Sequence, residues 1–310
     1  MSDFIQQRSC ILGFNTANSW IILSPIEQNI KSKIEKAGKP LKDWDIQIYR
    51  GVLTGCNEAF IISKEKRQEI LANCKSKDEQ QRTDELIRPI LRGRDIKRYS
   101  YEYAGLYLIA TFPSKHYDIE EYPAVKQYLL SFGMERLEQT GKEYKINGET
   151  IKARKKTNNK WFETQDSISY WDELFQSKII WGEISDNSKF AFDFNGTFMP
   201  EATTFYMRGE NIEFLLAALN SKLSEWFFSK IGTTTGVGTV RWKKYTIEQL
   251  IVIKPTDKVL NDYLLLFENF KNKKISVSEF EQANDNLMFS LYDLSEEEID
   301  YINKYQVKLI

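Results

Sequence analysis

Apolar and polar positions change period several times along the chain. Residues 24–37 carry Ile26, Ile30 and Ile34 at helical spacing, behind Ser24 as an N-cap, Pro25 at the first helical position and Glu27 three residues after the cap. Gly38 closes that helix, and residues 44–49 alternate as a strand with Ile46 and Ile48 on one face. A glycine-containing turn at 50–57 leads to a short apolar strand at 59–62. A helix over 64–73 and an exposed, charged loop over 75–84 follow. The pattern predicts a strand at 107–112 and a helix at 122–139 opened by Pro123. Residues 140–159 are polar and basic and read as a mobile surface loop. Strands at 178–184, 190–194 and 203–207 precede a long helix over 211–230, with Leu215, Leu216, Leu219, Leu223 and Trp226 on its apolar side. Glycines and threonines break it at 231–238, and 240–253 returns as strand or short helix. After Pro255, residues 257–281 and 285–305 are helical in pattern. The expectation is an α+β fold with a mixed or antiparallel sheet in residues 1–256 and a helical appendage in 257–310.

Composition fits a folded chain with one large core or two modest ones: 310 residues, 42% hydrophobic and 28% charged. No stretch approaches the roughly 20 apolar residues of a membrane span, and residues 1–10 lack the layout of a secretory signal. Cys10, Cys56 and Cys74 are too scattered for a disulfide framework or a zinc site, and His116 is the only histidine. A cytoplasmic protein without a metal site of its own is the expectation. The net charge of −1 hides an asymmetry, with −5 over residues 257–310 and +4 over the remainder. Contact with a polyanion would therefore depend on local patches.

Four such patches stand out. Arg92, Arg94, Lys97 and Arg98 place four cations in seven positions, with Gly93 permitting close backbone approach. Residue content leaves open whether they meet phosphate or guanine, or form a solvated turn in which Asp95 pairs with Arg92 or Arg98. Thr54 and Asn57 flank a tight turn that either presents Asn57 to a base edge or merely uses it as a turn former. Arg154, Lys155, Lys156 and Lys160 abut Trp161, a combination suited to phosphate contact and stacking, or to a loop anchored by its aromatics. Thr234, Thr235, Arg241, Lys243 and Lys244 line a threonine- and glycine-rich connection that lacks the Gly-Lys-Ser/Thr ending of a nucleotide-binding loop.

Read in order, four segments resemble the TaqI-like specificity domain of type IIG restriction enzymes and N6-adenine DNA methyltransferases. They are WDIQIYRGVLTGCNEAFII from Trp44, IRPILRGRDIKRY from Ile87, KIIWGEIS from Lys178, and LLAALNSKLSEWFF from Leu215 leading into RWKKYTIEQLIVIKP. The resemblance implies sequence-specific recognition of double-stranded DNA, with Arg50 joining the four patches as DNA-binding residues. It also implies a methyltransferase module or subunit as partner, with a degenerate, protein-binding recognition domain as the alternative. No Pro-Pro pair exists, so the Asn/Asp-Pro-Pro-Tyr/Phe motif of an adenine methyltransferase is missing, as is the glycine-rich cofactor turn. Glu183 and Glu201 are not spaced around a lysine as in a Mg²⁺-dependent nuclease. The chain alone is therefore expected to be non-catalytic, with no cofactor of its own and no small-molecule substrate. S-adenosylmethionine and Mg²⁺ would enter only through a partner. A free-standing specificity subunit, an excised domain and a gene remnant all fit this reading.

Overall fold

Ser24 caps the helix Pro25–Ala37 as its sequence requires. Its side chain accepts from the Glu27 N–H, while its own N–H donates to Glu27 Oε2 at 2.8 Å. The computed structural model describes residues 23–168, 171–231, 233–234 and 240–305. They fall into two compact units, one made of Gln47–Ile184 and Lys189–Arg208, the other of the described parts of Met1–Ile46, Ser185–Ser188 and Gly209–Ile310.

The first unit is built on two four-stranded sheets. One has the order Phe190–Asp193, Lys178–Gly182, Thr204–Gly209, Ile46–Arg50, with the first three strands antiparallel. Lys178–Gly182 and Phe190–Asp193 are buried at every position, which explains their nearly continuous apolar sequence. The other is mixed: Met199–Pro200 runs parallel to Ile87–Leu91, which pairs antiparallel with Leu106–Ile109, and that strand with Ile61–Ser63. The α+β class with mixed sheets is thus the observed one.

Local differences from the sequence pattern have identifiable causes. Residues 75–84 are not a loop: Ser76 caps a helix at Lys77–Leu86. Its buried positions are Glu79, Thr83 and Leu86, so two of three core-facing residues are polar and the apolar period is hidden. Glu79 is held there by the N–H groups of Lys75 (2.8 Å) and Ala124 (3.0 Å). The helix expected at 122–139 breaks at Gly133, where φ is 86°, into Pro123–Leu130 and Met134–Leu137. The surface loop at 140–159 contains a hairpin, Glu143–Ile146 against Glu149–Lys152. Its two-residue turn is Asn147-Gly148, both at positive φ, as a type I′ turn demands. Asn57–Phe60 is one helical turn, and the short strand begins only at Ile61.

In the second unit the long helix expected at 211–230 is two, Ile212–Asn220 and Lys222–Ile231, separated by extended Ser221. Among the described residues three helices follow Thr256 in place of two: Asp257–Lys271, Val277–Leu291 and Glu296–Lys304, the last two opened by capping boxes at Ser276 and Ser295. They pack within this unit: Asn284 Nδ2 donates to the Ala217 carbonyl at 3.0 Å, and Asp285 accepts from the Lys222 N–H at 2.9 Å. Tyr263, Phe267, Phe270 and Phe280 form one aromatic cluster between them. Among the described residues no helix is long and apolar enough to cross a membrane.

Glu27 gives this unit a pH signature. Partial burial pushes its carboxyl up, but hydrogen bonds from Lys230 (2.6 Å), the Ser24 N–H and Tyr301 outweigh that and hold it at about 2. Its folded pKa lies below the unfolded value of about 4.3, so the stabilisation is fully present above roughly pH 5 and is lost as pH falls toward 2. Allowing for solvent screening, we expect Glu27→Gln to cost about 2 kcal/mol at pH 7, roughly half of that at pH 3 and little at pH 2. Urea unfolding of both proteins across that range measures the convergence.

Candidate nucleic-acid interface

Two of the turns marked in the sequence are brought together in the first unit. The strand Ile87–Leu91 ends at Arg92, and Gly93–Asp95 turns back as a single 3-10 turn. Asp95, buried, accepts from the Arg92 N–H (2.9 Å), Nε (3.0 Å) and Nη2 (2.7 Å). Burial would lift the Asp95 carboxyl, but these bonds hold it below its usual range, and they raise Arg92 in turn. Arg92 is therefore tied into the turn and half-buried, whereas Arg94 is exposed and forms no hydrogen bond or ion pair through its side chain among the described residues. Lys97 is half-buried and pairs with Glu102 at 3.4 Å, and Arg98 is half-buried.

The turn before Asn57 is fixed as tightly. Thr54 is fully buried, Gly55 takes φ 75°, and Asn57 is the exposed first residue of Asn57–Phe60. Glycine, not asparagine, supplies the left-handed residue of this turn. The Thr54 hydroxyl accepts from the Cys56 N–H at 3.1 Å and donates to Asn57 Oδ1 at 2.6 Å.

What joins the two turns is the segment Pro200–Thr204, of which the sequence pattern marked only the start of a strand at Thr203 and no binding residue. Met199–Pro200 lies parallel to Ile90–Leu91, and the Glu201 N–H donates to the Leu91 carbonyl at 2.9 Å. On its other side the N–H groups of Gly51 and Val52 donate to the carbonyls of Thr204 (2.9 Å) and Pro200 (2.7 Å). That approach needs a glycine: a Cβ on Gly51 would sit 2.1 Å from the Glu201 carbonyl oxygen. Glu201 is 6% exposed, its carboxylate accepting from Asn57 Nδ2 at 3.4 Å and from both the N–H (2.9 Å) and hydroxyl of Thr203. A Cβ on Gly93 would meet Thr203 Oγ1 at 3.4 Å and the Gly182 Cα at 3.5 Å. Gly93, Thr203, Glu201, Asn57 and Thr54 thus form one chain of contacts. Glu201 lies 144 residues from Asn57 along the chain, so no local pattern announces it.

Arg50 belongs to the same neighbourhood. Its Nε donates to the Ala202 carbonyl at 3.0 Å, Nη2 lies 3.9 Å from Glu183 Oε2, and 57% of its side chain is exposed. Arg50 and Lys155 both bear on Asp166, whose carboxyl is raised by burial against their pull.

The remaining predicted residues part company. Arg154 is not a surface cation. It is 4% exposed, and its guanidinium donates to the carbonyls of Leu137 (2.8 Å), Thr54 (2.8 Å), Glu163 (2.7 Å) and Trp161 (2.6 Å). Burial pushes it down to about 10. Its neighbours Lys155 and Lys156 are exposed, as is Lys160, whose Nζ lies 5.5 Å from the Phe162 ring. Trp161 is half-buried edge-on to Phe162 at 5.6 Å. The last patch lies in the second unit. There Thr234 pairs with Val240 in a short hairpin, Arg241 and Lys243 are half-buried, and exposed Lys244 pairs with Glu248 at 3.7 Å. Thr235 and most of the threonine-glycine connection lie outside the described residues. Among the described residues no cluster of histidine, cysteine and carboxylate suits a metal ion.

Comparison with known proteins follows the same lines. No curated protein sequence matches the chain. Among solved structures, the type IIL restriction-modification enzyme MmeI in complex with DNA superposes with a TM-score of 0.52 at 11% identity, over 86% of this chain and 37% of that one. The type IIG restriction endonuclease BpuSI gives 0.47 at 11% identity, over 89% of this chain and 34% of that one. The chain thus spans little more than a third of either enzyme, and at this identity the first likeness is one of fold. The profile of the TaqI-like C-terminal specificity domain matches residues 88–252. That span is just over half of the chain and takes in the Arg92–Asp95 turn, Arg154 and Glu201, and on it the chain belongs to the family of TaqI-like C-terminal specificity domains.

Proposed function

We propose that this chain reads the sequence of double-stranded DNA as the specificity module of a restriction-modification system, positioning an adenine methyltransferase carried by another module or subunit. The observation that carries the reading is the specificity-domain match over residues 88–252, because it encloses both the Arg92–Asp95 turn, with Arg94 exposed, and Glu201. The geometry suits recognition more than catalysis: the carboxylates of the site are engaged by Arg92, Asn57 and Thr203 rather than grouped around a reacting centre. S-adenosylmethionine and Mg²⁺ belong, in this proposal, to the partner. Residues 257–310 offer acidic helices to a protein more readily than to DNA, since their net charge of −5 repels phosphate.

Selection from a pool of random duplexes tests the reading. One enriched sequence is expected, bound with an affinity that falls steeply with salt. A pool that emerges without enrichment overturns it. Arg94→Ala is expected to weaken binding to every duplex and to reduce the salt slope by about one. Fluorescence titration at several salt concentrations reads both effects.

A further inference from the structure

Asn57 is exposed, yet its carboxamide is held at both ends. Thr54, fully buried, uses its hydroxyl oxygen to accept from the Cys56 N–H, which leaves its one proton for Asn57 Oδ1 at 2.6 Å. The other end faces the Glu201 carboxylate, which can only accept, at 3.4 Å. A donor at one end and an acceptor at the other permit a single assignment of the amide oxygen and nitrogen. The amide then retains one N–H and one acceptor lone pair. That combination matches the major-groove edge of adenine, where N7 accepts and the N6 amino group donates.

A purely structural tie does not explain the arrangement. Turn and loop are already joined by the backbone bonds from Gly51 and Val52 to Thr204 and Pro200, and a hydrogen bond at an exposed side chain adds little to them. Nor does phosphate contact explain it, because the Glu201 carboxylate beside Asn57 would repel a phosphate oxygen. Resting on the DNA-reading function proposed above, we infer that Asn57 is a specificity-determining residue that contacts an adenine of the target duplex. Glu201 acts through it as a positioning residue, fixing the amide before DNA arrives and so removing a rotamer cost from recognition.

The experiment starts from the duplex selected by the unaltered full chain. Each adenine is replaced singly by 7-deazaadenine, which lacks the N7 acceptor and leaves pairing intact. One replacement is expected to weaken the unaltered chain about ten-fold and Asn57→Ala hardly at all, since the contact is already gone. Glu201→Gln is expected to lose part of the discrimination at that same adenine while binding a scrambled duplex at least as well. A 7-deazaadenine series tolerated at every position, or the same loss in Asn57→Ala as in the unaltered chain, overturns the assignment and leaves the DNA-reading function standing. Failure to select any duplex overturns both. Because the 7-deazaadenine series uses the unaltered protein, it decides the question even where a variant does not fold.

Discussion

Asp193→Ala is expected to destabilise the first unit by about 3–5 kcal/mol, the cost of leaving a buried charge unpaired. Lys178 is 0% exposed at the start of a strand that is buried at every position, and its Nζ donates to Asp193 Oδ2 at 2.8 Å and to the Leu174 carbonyl at 2.6 Å. The two residues face each other in the register of antiparallel strands. Asp193 also receives the N–H groups of Thr197 (3.0 Å) and Phe198 (2.9 Å), so it anchors the turn that leads to Met199–Pro200. Burial already lowers the Lys178 pKa against the attraction of Asp193. Without that carboxylate the folded pKa falls further below the unfolded value of about 10.4, so the variant gains stability relative to the parent as pH rises from neutral toward 10. Chemical unfolding at pH 7 and pH 9.5 measures the deficit and its partial recovery. A deficit under 1 kcal/mol, or one independent of pH, would falsify the assignment of Lys178 as a buried charge. Replacing both residues by apolar ones of similar size is expected to cost far less than Asp193→Ala.

The buried pair also shows where sequence reading succeeds and where it stops. Strands whose residues are apolar on both faces were legible, as were Pro25–Ala37 and the apolar run Phe214–Leu219 within Ile212–Asn220. A single lysine in Lys178–Gly182 did not mask the strand, although nothing local told that Asp193 would neutralise it. Where core positions are polar, as at Glu79 and Thr83, the period disappeared and a capped helix read as a loop. Asn147-Gly148 is a strong hairpin signal flanked by alternating residues, and its density of charge concealed it among the basic positions around it.

The site divides in the same way. Arg92 to Arg98 and Thr54 to Asn57 were visible because their residues are neighbours in sequence, and the pairing of Asp95 with Arg92 was one of the alternatives their spacing left open. Their convergence was not visible, because it depends on parallel pairing of Met199–Pro200 with Ile90–Leu91 and on close approach at Gly51, both contacts between distant segments. Charge count also misled: Arg154 sits between Ala153 and Lys155 in a basic run, but four carbonyls draw its guanidinium inward while its neighbours Lys155 and Lys156 stay in water.

Arg154→Ala is accordingly expected to damage the fold, at about 3 kcal/mol or more, and not to act as the loss of one phosphate contact. Four carbonyls, from Leu137, Thr54, Trp161 and Glu163, lose the guanidinium at once, and of these Glu163 still accepts from Gln139 Nε2 at 3.0 Å. The guanidinium also lies 5.0 Å from the Phe60 ring, so its removal opens space against the core. Arg154→Lys keeps the charge but offers a point donor in place of a planar fork, and cannot reach carbonyls on several sides. It is expected to recover less than half of the loss. Lys155→Ala, at the exposed neighbour, is expected to leave unfolding within about 0.5 kcal/mol of the parent and to reduce only the salt-dependent part of DNA affinity. Thermal unfolding beside duplex titration separates the two behaviours. An Arg154→Ala protein that melts like its parent and loses only affinity would return Arg154 to the DNA surface. The expected result places it one layer below, where it holds the carbonyl of Thr54 and so the turn that presents Asn57.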